Sequence, residues 1–401
     1  MLRDKKCMCE VKTLEKKTDT IMIRILELIA LLGEATSEEI KRFSKSPSYA
    51  EKIISLMKKE SYIKNFRDGN KSTYRLVKKG KKYLEEKLPL IFSNTFQGQN
   101  SLNRVRDDKR REERRKKLAE VLLLFHLADV KIFPDEKVLL RRNSVFTNAD
   151  TADFTDKYTP EFYTSSEIKN IVPDYKKGIS SRALGILIIY RKVYIVYLTS
   201  DGNLFWRKDT EKDFLTITKN VLARRLFGED HKIYLLVISD NIKLPSIIMK
   251  RKYMSNGKIH PSPELPNMIF ALNDRELDFT IDLILNNSDI VEKLEKIFRD
   301  GYESDKKHSQ YDGVKIIRYK DPGGQIKTNE SFITFAFLFD LRKVMEAVYG
   351  AIDPGKNVTI FCFDYQRKYI EIFLEELNQS ENSKIEILSD SLEGFREDNL
   401  I

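Results

Sequence analysis

Asp340 and Asp364 each follow an apolar run and stand just before a helical pattern, where α/β sheets present carboxylates at the carboxyl ends of their strands. Two acids so placed are able to hold a divalent cation such as Mg²⁺ for phosphodiester chemistry. The same grammar recurs at Asp240, after Tyr234-Leu-Leu-Val-Ile-Ser239, and at Asp274, after Met268-Ile-Phe-Ala-Leu-Asn273. Four repetitions are better explained by aspartates capping the free N–H groups of helices than by four catalytic acids. Glu167-Ile168-Lys169 is a Glu-x-Lys string of the kind metal-dependent nucleases use to hold a cation and orient water. Ser165 and Ser166 ahead of it also make a good helix start, which favours a short surface helix.

Other chemistry-bearing residues are dispersed. His126, His231, His260 and His308 form no metal-ligand spacing, and His126 falls on an apolar helix end as a core or edge residue. Cys7-Met8-Cys9 lacks the CxxC spacing of a zinc site, and with Cys362 the three cysteines are too few for a disulfide framework. Asp321-Pro-Gly-Gly-Gln-Ile-Lys-Thr328 departs from phosphate-loop spacing and reads as a turn. No metal ligand set and no cofactor are expected, apart from Mg²⁺ should the chain cleave phosphodiesters.

A second kind of chemistry, contact with a polyanion, is concentrated near the N-terminus. Ile21, Ile25, Leu28, Ile29 and Leu32 recur at helical spacing and predict a core-facing helix that Gly33 ends. Thr36, with Glu39 three residues on, predicts a capping box for a short second helix. A third helix is expected from Ser48 to Glu60, with Ile53, Ile54 and Met57 inward. Its outward residues Ser48, Tyr49, Lys52, Ser55 and Lys59 suit the major groove of a duplex. Tyr62–Phe66 and Ser72–Leu76, joined through Asp68-Gly69-Asn70, read as a hairpin. Arg67, Lys71 and Arg75 lie along it, and Lys78, Lys79, Lys81 and Lys82 continue the charge into a closing helix. The order describes a winged helix-turn-helix over residues 19–88.

Beyond it, residues 102–128 predict one long helix, basic and polar all round at first and apolar from Leu118 onward. Its first half is expected to stand exposed, as a DNA-backbone clamp or as a linker held by i,i+4 charge pairs, and its second half to dock on the larger C-terminal domain. Residues 129–174 read as irregular. Residues 129–401 then predict an α/β domain with a layered mixed or parallel sheet, in one body or in lobes at 129–230 and 231–401. Its strand pair, Ala183–Tyr190 and Val193–Thr199, forms the sheet centre, and strands are also expected at Phe335–Phe339, Val358–Phe363 and Lys384–Leu388.

The chain has 401 residues, 41% hydrophobic, enough for a sizeable core and for two or three domains. Its 71 Lys and Arg against 61 Asp and Glu give a net charge of +10, which favours a polyanionic partner. No run approaches the ~18 apolar residues of a membrane span, and the N-terminus is charged where a secretion signal is apolar. A cytoplasmic protein without membrane contact is expected.

The order of parts resembles the replication-relaxation family of plasmids and integrated conjugative elements. The matching features are the winged helix to Lys87, the basic helix into Glu120-Val-Leu-Leu-Leu124 and Phe162-Tyr-Thr-Ser-Ser-Glu-Ile-Lys169. To these are added Ser180-Ser-Arg-Ala-Leu-Gly185 ahead of Tyr194-Ile-Val-Tyr197, Trp206, and Phe361-Cys-Phe-Asp-Tyr-Gln366. The resemblance implies DNA-processing proteins, including relaxases whose catalytic domain is like that of restriction endonucleases. In those an Asp, followed on the next strand by Glu-x-Lys, positions a divalent metal. Asp174 stands for the first member, but Ala183–Tyr190, where the pair belongs, contains no charge. The resemblance then implies a degenerate nuclease core kept as a platform. The leading expectation is a DNA-binding protein of a mobile element with an accessory role in replication or mobilisation. Its partners would be double-stranded DNA, a second copy of the chain as homodimer, and replication or transfer proteins. The alternatives are a metal-dependent DNA-nicking relaxase using Asp174 or Asp340 with Asp364, and a transcriptional regulator.

Overall fold

A computed structural model describes residues 20–68, 71–92, 109–137, 159–171, 181–190, 192–199, 208–223, 231–255, 258–259, 267–274, 276–286, 316–317, 326–328, 331–336, 338–352, 357–377 and 385–390. They make a mixed α/β protein whose contacts separate two units. The first takes the described residues within Met1–Ile179, Leu184–Tyr190 and Asn220–Phe227, and the second those within Ser180–Ala183, Arg191–Lys219 and Gly228–Ile401.

In the first unit, helix α1 spans residues 20–32 and buries Ile25, Leu28, Ile29 and Leu32 as its periodicity requires, with Ile21 half-buried. Gly33 ends it at φ 81°, a left-handed conformation that glycine adopts without a Cβ penalty. Strand β1 (Ala35–Thr36) leads into α2 (Ser37–Arg42) through the expected capping box. The Glu39 N–H donates to Thr36 Oγ1 at 3.1 Å and the Thr36 N–H to Glu39 Oε2 at 2.7 Å. Helix α3 (Pro47–Lys59) starts on a proline, whose missing N–H costs nothing in a first turn, and buries Ala50, Ile53, Ile54 and Met57. Strands β2 (Ile63–Asp68) and β3 (Lys71–Leu76) form an antiparallel hairpin in register from Ile63↔Leu76 to Asp68↔Lys71. The expected turn residues Gly69 and Asn70 lie outside the described residues. Strand β1 pairs with β3, making a three-stranded sheet, and α4 (Lys78–Lys87) and the short α5 (Pro89–Phe92) follow.

Helix α6 (Lys109–Leu127) is exposed along one side of its basic half, at Lys109, Arg111, Glu113 and Lys116, but Arg115 is turned inward. The Arg115 side chain, 9% exposed, directs Nη1 at both oxygens of Glu39 (2.9 Å each) and holds Nε 3.5 Å from Glu34. The buried Glu34 and the half-buried Glu39 of the N-terminal module draw the guanidinium inward. At the other end of α6 the His126 ring stacks on Phe43 at 5.6 Å, an edge position as expected.

The stretch expected to be irregular holds a strand and a helix, β4 (Glu161–Thr164) and α7 (Ser165–Ile171). Every β4 residue is buried, and Phe162 packs against Phe125 of α6 at 4.9 Å. Strand β5 (Gly185–Ile189) runs antiparallel to β4, with Gly185 opposite Thr164. A Cβ on Gly185 would stand 2.2 Å from the Tyr163 carbonyl oxygen, so only glycine fits that approach.

The second unit contains β6 (Lys192–Thr199), α8 (Lys208–Ile217), β7 (Lys232–Ser239), α9 (Leu244–Tyr253), the small pair β8 (Met254–Ser255) and β9 (Lys258–Ile259), β10 (Asn267–Leu272) and α10 (Leu277–Asn286). Strands β6, β7 and β10 are parallel neighbours in that order, and their apolar runs are buried on both faces. A five-stranded mixed sheet comes next, with α11 (Leu341–Ile352) and α12 (Asp364–Glu376) placed along the chain between its later strands. Its strands β11 (Ile316–Ile317), β12 (Ile326–Thr328) and β13 (Ser331–Phe335) are antiparallel, whereas β13, β14 (Asn357–Phe363) and β15 (Ile385–Asp390) are parallel. The strand expected at Phe335–Phe339 therefore sits four residues earlier. Phe339, at φ 43°, belongs to the turn before α11. Among the described residues no helix is long and apolar enough to cross a membrane.

Candidate nucleic-acid interface

Helix α3 keeps its polar stripe outward. Ser48, Lys52, Ser55 and Lys59 are exposed and Tyr49 is half-buried. Residues at i, i+4, i+7 and i+11 fall on one side of a helix, so Ser48, Lys52, Ser55 and Lys59 share a face opposite Ile53, Ile54 and Met57. No carboxylate among the described residues pairs with Lys52 or Lys59, whereas Glu51 on the same helix is taken by Lys41.

The hairpin divides its cations. Arg67 is exposed without an acidic partner among the described residues. Arg75 is committed to its own module: Nε donates to Glu34 Oε2 at 2.7 Å and the guanidinium lies 4.5 Å from the Phe66 ring centroid. Glu34 also accepts from Thr73 Oγ1 at 3.1 Å. Arg75 thus stiffens the hairpin, and the side chain of Lys71 lies outside the described residues. In α4, Lys79 donates to the Glu60 carbonyl at 2.8 Å and Lys82 sits 3.6 Å from Glu86, while Lys78 is exposed. Burial pulls the Lys81 ammonium below the ordinary lysine range. On α6, Lys116 pairs with Glu112 and Lys117 with Glu113 at i,i+4, the arrangement of a self-compensated helix.

The acidic candidates separate. Asp340 is buried, its Oδ1 accepts the Arg342 N–H at 3.0 Å, and desolvation raises its carboxyl to about 6 against the pull of Lys343 and Arg342. Asp274 likewise accepts the Glu276 N–H at 2.9 Å, and its second oxygen takes the Tyr369 hydroxyl at 2.6 Å. These two cap chain turns as expected. Asp240 instead accepts from the Asn273 amide at 2.7 Å, and Asp364 is the exposed first residue of α12, where Gln366 accepts the Phe363 N–H at 3.0 Å. Asp174 lies outside the described residues. Among the described residues no three His, Cys, Asp or Glu side chains converge as a metal-ligand group.

Glu167 is a buried cap, one residue earlier in register than the serines suggest. It accepts the Thr164 N–H at 2.7 Å while its own N–H donates to Thr164 Oγ1 at 3.2 Å. The fully buried Lys137 ammonium donates to both its oxygens, at 2.7 and 2.9 Å, and lies 5.0 Å from the Tyr163 ring centroid. Tyr163 in turn donates to Glu161. In the second unit, buried Glu211 gathers the Tyr197 and Ser181 hydroxyls (2.7 Å each) and the Arg182 N–H (2.8 Å). Neither Glu161 nor Glu211 is visible as a site in the sequence, because a lone glutamate in a mixed segment reads as surface. No protein-family model matches the chain, and no curated protein or solved structure is significantly similar to it.

Proposed function

We propose that residues 19–88 are a winged helix-turn-helix that binds double-stranded DNA, with α3 in the major groove and the β2–β3 hairpin as the wing along the flanking backbone. The observation that carries this is the outward stripe of α3, where Ser48, Lys52, Ser55 and Lys59 stand exposed and the two lysines are left without carboxylates among the described residues. Hydroxyls and ammonium groups on one helical face match base edges and phosphates, and Arg67 extends the positive charge onto the hairpin. Helix α6 serves as a buttress, since Arg115 is drawn to Glu34 and Glu39 and Lys116 and Lys117 pair with the helix's own acids.

The α/β portion, residues 129–401, is assigned to homodimerisation or to docking with replication or transfer proteins of a mobile element. This role comes from the resemblance to the replication-relaxation family. The nickase alternative gains nothing from Asp340, whose carboxyl is engaged by the backbone at the start of α11.

The test is the anisotropy of a labelled mixed-sequence duplex titrated with the full chain between about 50 and about 300 mM salt, the range over which counterion release governs affinity. Each phosphate contact contributes about −0.9 to the slope of log affinity against log salt. Lys52→Ala with Lys59→Ala is expected to weaken binding and make that slope shallower by about 1.8. Wild-type binding with a slope the double variant leaves unchanged would remove α3 from the interface.

A further inference from the structure

One residue on the outward face of α3 does not fit a purely electrostatic surface. Leu56 is 41% exposed, whereas Ile53, Ile54 and Met57 beside it are 3%, 3% and 0% exposed. At 3.6 residues per turn it lies roughly 40° round the helix from Lys52 and roughly 60° from Lys59, at the edge of the polar stripe, with the buried Ile53 roughly 60° further round. The large exposed hydrophobic side chains among the described residues are Leu56, Phe66, Leu127 and Tyr190. The exposure of Phe66 is accounted for by cations over its ring, Arg75 at 4.5 Å and Lys64 at 5.9 Å. Leu56 has no such cover. Leucine there exposes apolar area that serine, lysine or glutamate would not, among neighbours that are charged or hydroxylic.

Resting on the reading of α3 as the groove helix, we propose that Leu56 is a specificity-determining residue that packs against a thymine methyl group in the major groove. The methyl at C5 of thymine is the one apolar group among the base edges of that groove, and a branched aliphatic side chain is its natural contact. Lys52 and Lys59 on either side supply the phosphate contacts that bring the helix within reach, and Ser55 offers a hydroxyl to the neighbouring base edge. The preferred site therefore contains at least one thymine under the middle of α3. The division of labour is explicit: the lysines set affinity for any duplex, and Leu56 ranks duplexes by a single methyl group.

The experiment selects duplexes from a randomised pool with the full chain, then replaces each thymine of a selected duplex in turn by deoxyuridine, which removes only the methyl. For wild type, one or two replacements are expected to weaken binding about fourfold, the loss of one buried methyl at ~0.8 kcal/mol. Leu56→Ala, a change at an exposed position, binds the thymine and deoxyuridine forms of that duplex equally. Lys52→Ala weakens both forms in parallel and keeps the ratio. The inference is overturned if no replacement affects wild type, or if Leu56→Ala keeps the thymine preference. A pool from which nothing is enriched, by a chain that also fails to bind mixed-sequence duplex, overturns the duplex reading itself.

Discussion

Glu27 sits on the core face of α1, fully buried, with Oε2 accepting from Arg24 Nη1 at 2.8 Å and Oε1 without a partner. The Arg24 guanidinium is shared with two further carboxylates, Asp135 and Glu136, the latter at 2.8 Å, on the turn after α6. Desolvation first, and then repulsion from Asp135 and Glu136, push the Glu27 carboxyl up to about 8, against the pull of Arg24. In the unfolded chain it ionises near its ordinary value of about 4.5. Between those values the folded state holds a proton that the unfolded state has released, so raising the pH favours unfolding. This group's stabilising contribution is complete below about pH 4.5 and is lost as pH rises through about 8. The loss amounts to about 1.4 kcal/mol per pH unit, roughly 5 kcal/mol over the window. Glu27→Gln keeps the shape, lets a neutral amide face Arg24 and abolishes the titration. Urea unfolding of both chains, followed by far-ultraviolet circular dichroism at pH 5, 6, 7 and 8, is expected to show the variant gaining on wild type by about 1.4 kcal/mol per unit. A stability difference that stays constant from pH 5 to pH 8 would refute the assignment of a buried, protonated Glu27.

Arg115→Ala removes the cation between Glu34 and Glu39 and is expected to cost about 3 kcal/mol in urea unfolding, because two part-buried carboxylates are left facing each other. Arg115→Lys should recover only part of that, since an ammonium cannot span both Glu39 oxygens as the guanidinium does. Gly185→Ala forces a methyl to within 2.2 Å of the Tyr163 carbonyl oxygen and 2.5 Å of the Phe162 ring. A fall of about 2 kcal/mol or more is expected in the same assay. Lys137→Met alone strands the buried Glu167 carboxylate, so it should be more destabilising than Lys137→Met combined with Glu167→Gln; a double variant worse than the single would contradict the pairing.

The elements legible in the sequence are those whose signal is local. The α1 periodicity, the Thr36–Glu39 capping box, the proline-started α3 and the two hairpin strands each depend on residues within one or two turns of one another. The features that escape depend on partners far along the chain. Strand β4 is hidden because Glu161 and Thr164 read as surface residues, yet both are buried, with the Tyr163 hydroxyl on Glu161 and the α7 cap on Thr164. The apolar run Phe335–Phe339 draws the strand before α11 too far along the chain, because Ser331 and Thr334 make the true strand look polar; Thr334 is buried. Helix α6 looks like a free basic rod because nothing in its own sequence names Glu34 and Glu39 as the acids that Arg115 meets. The same blindness applies to Arg75, which its place on the hairpin marks as a contact and its geometry sets against Glu34. These partners sharpen the candidate interface by subtraction. Of the cations in the N-terminal module, Arg24, Lys41 and Arg75 are drawn to particular carboxylates, and Arg115 is drawn in from α6. A lysine can be exposed simply because water solvates it well, so exposure alone distinguishes nothing. Lys52, Lys59 and Arg67 lack acids among the described residues, as do Arg42, Lys45, Lys58, Lys64 and Lys78, so what distinguishes Lys52 and Lys59 is that they share the outward face of one helix with two serines and stand beside Leu56. A surface left with an excess of one charge attracts a polyanion, and a helix that adds hydroxyls and one apolar group to that charge carries the chemistry needed to tell one base pair from another.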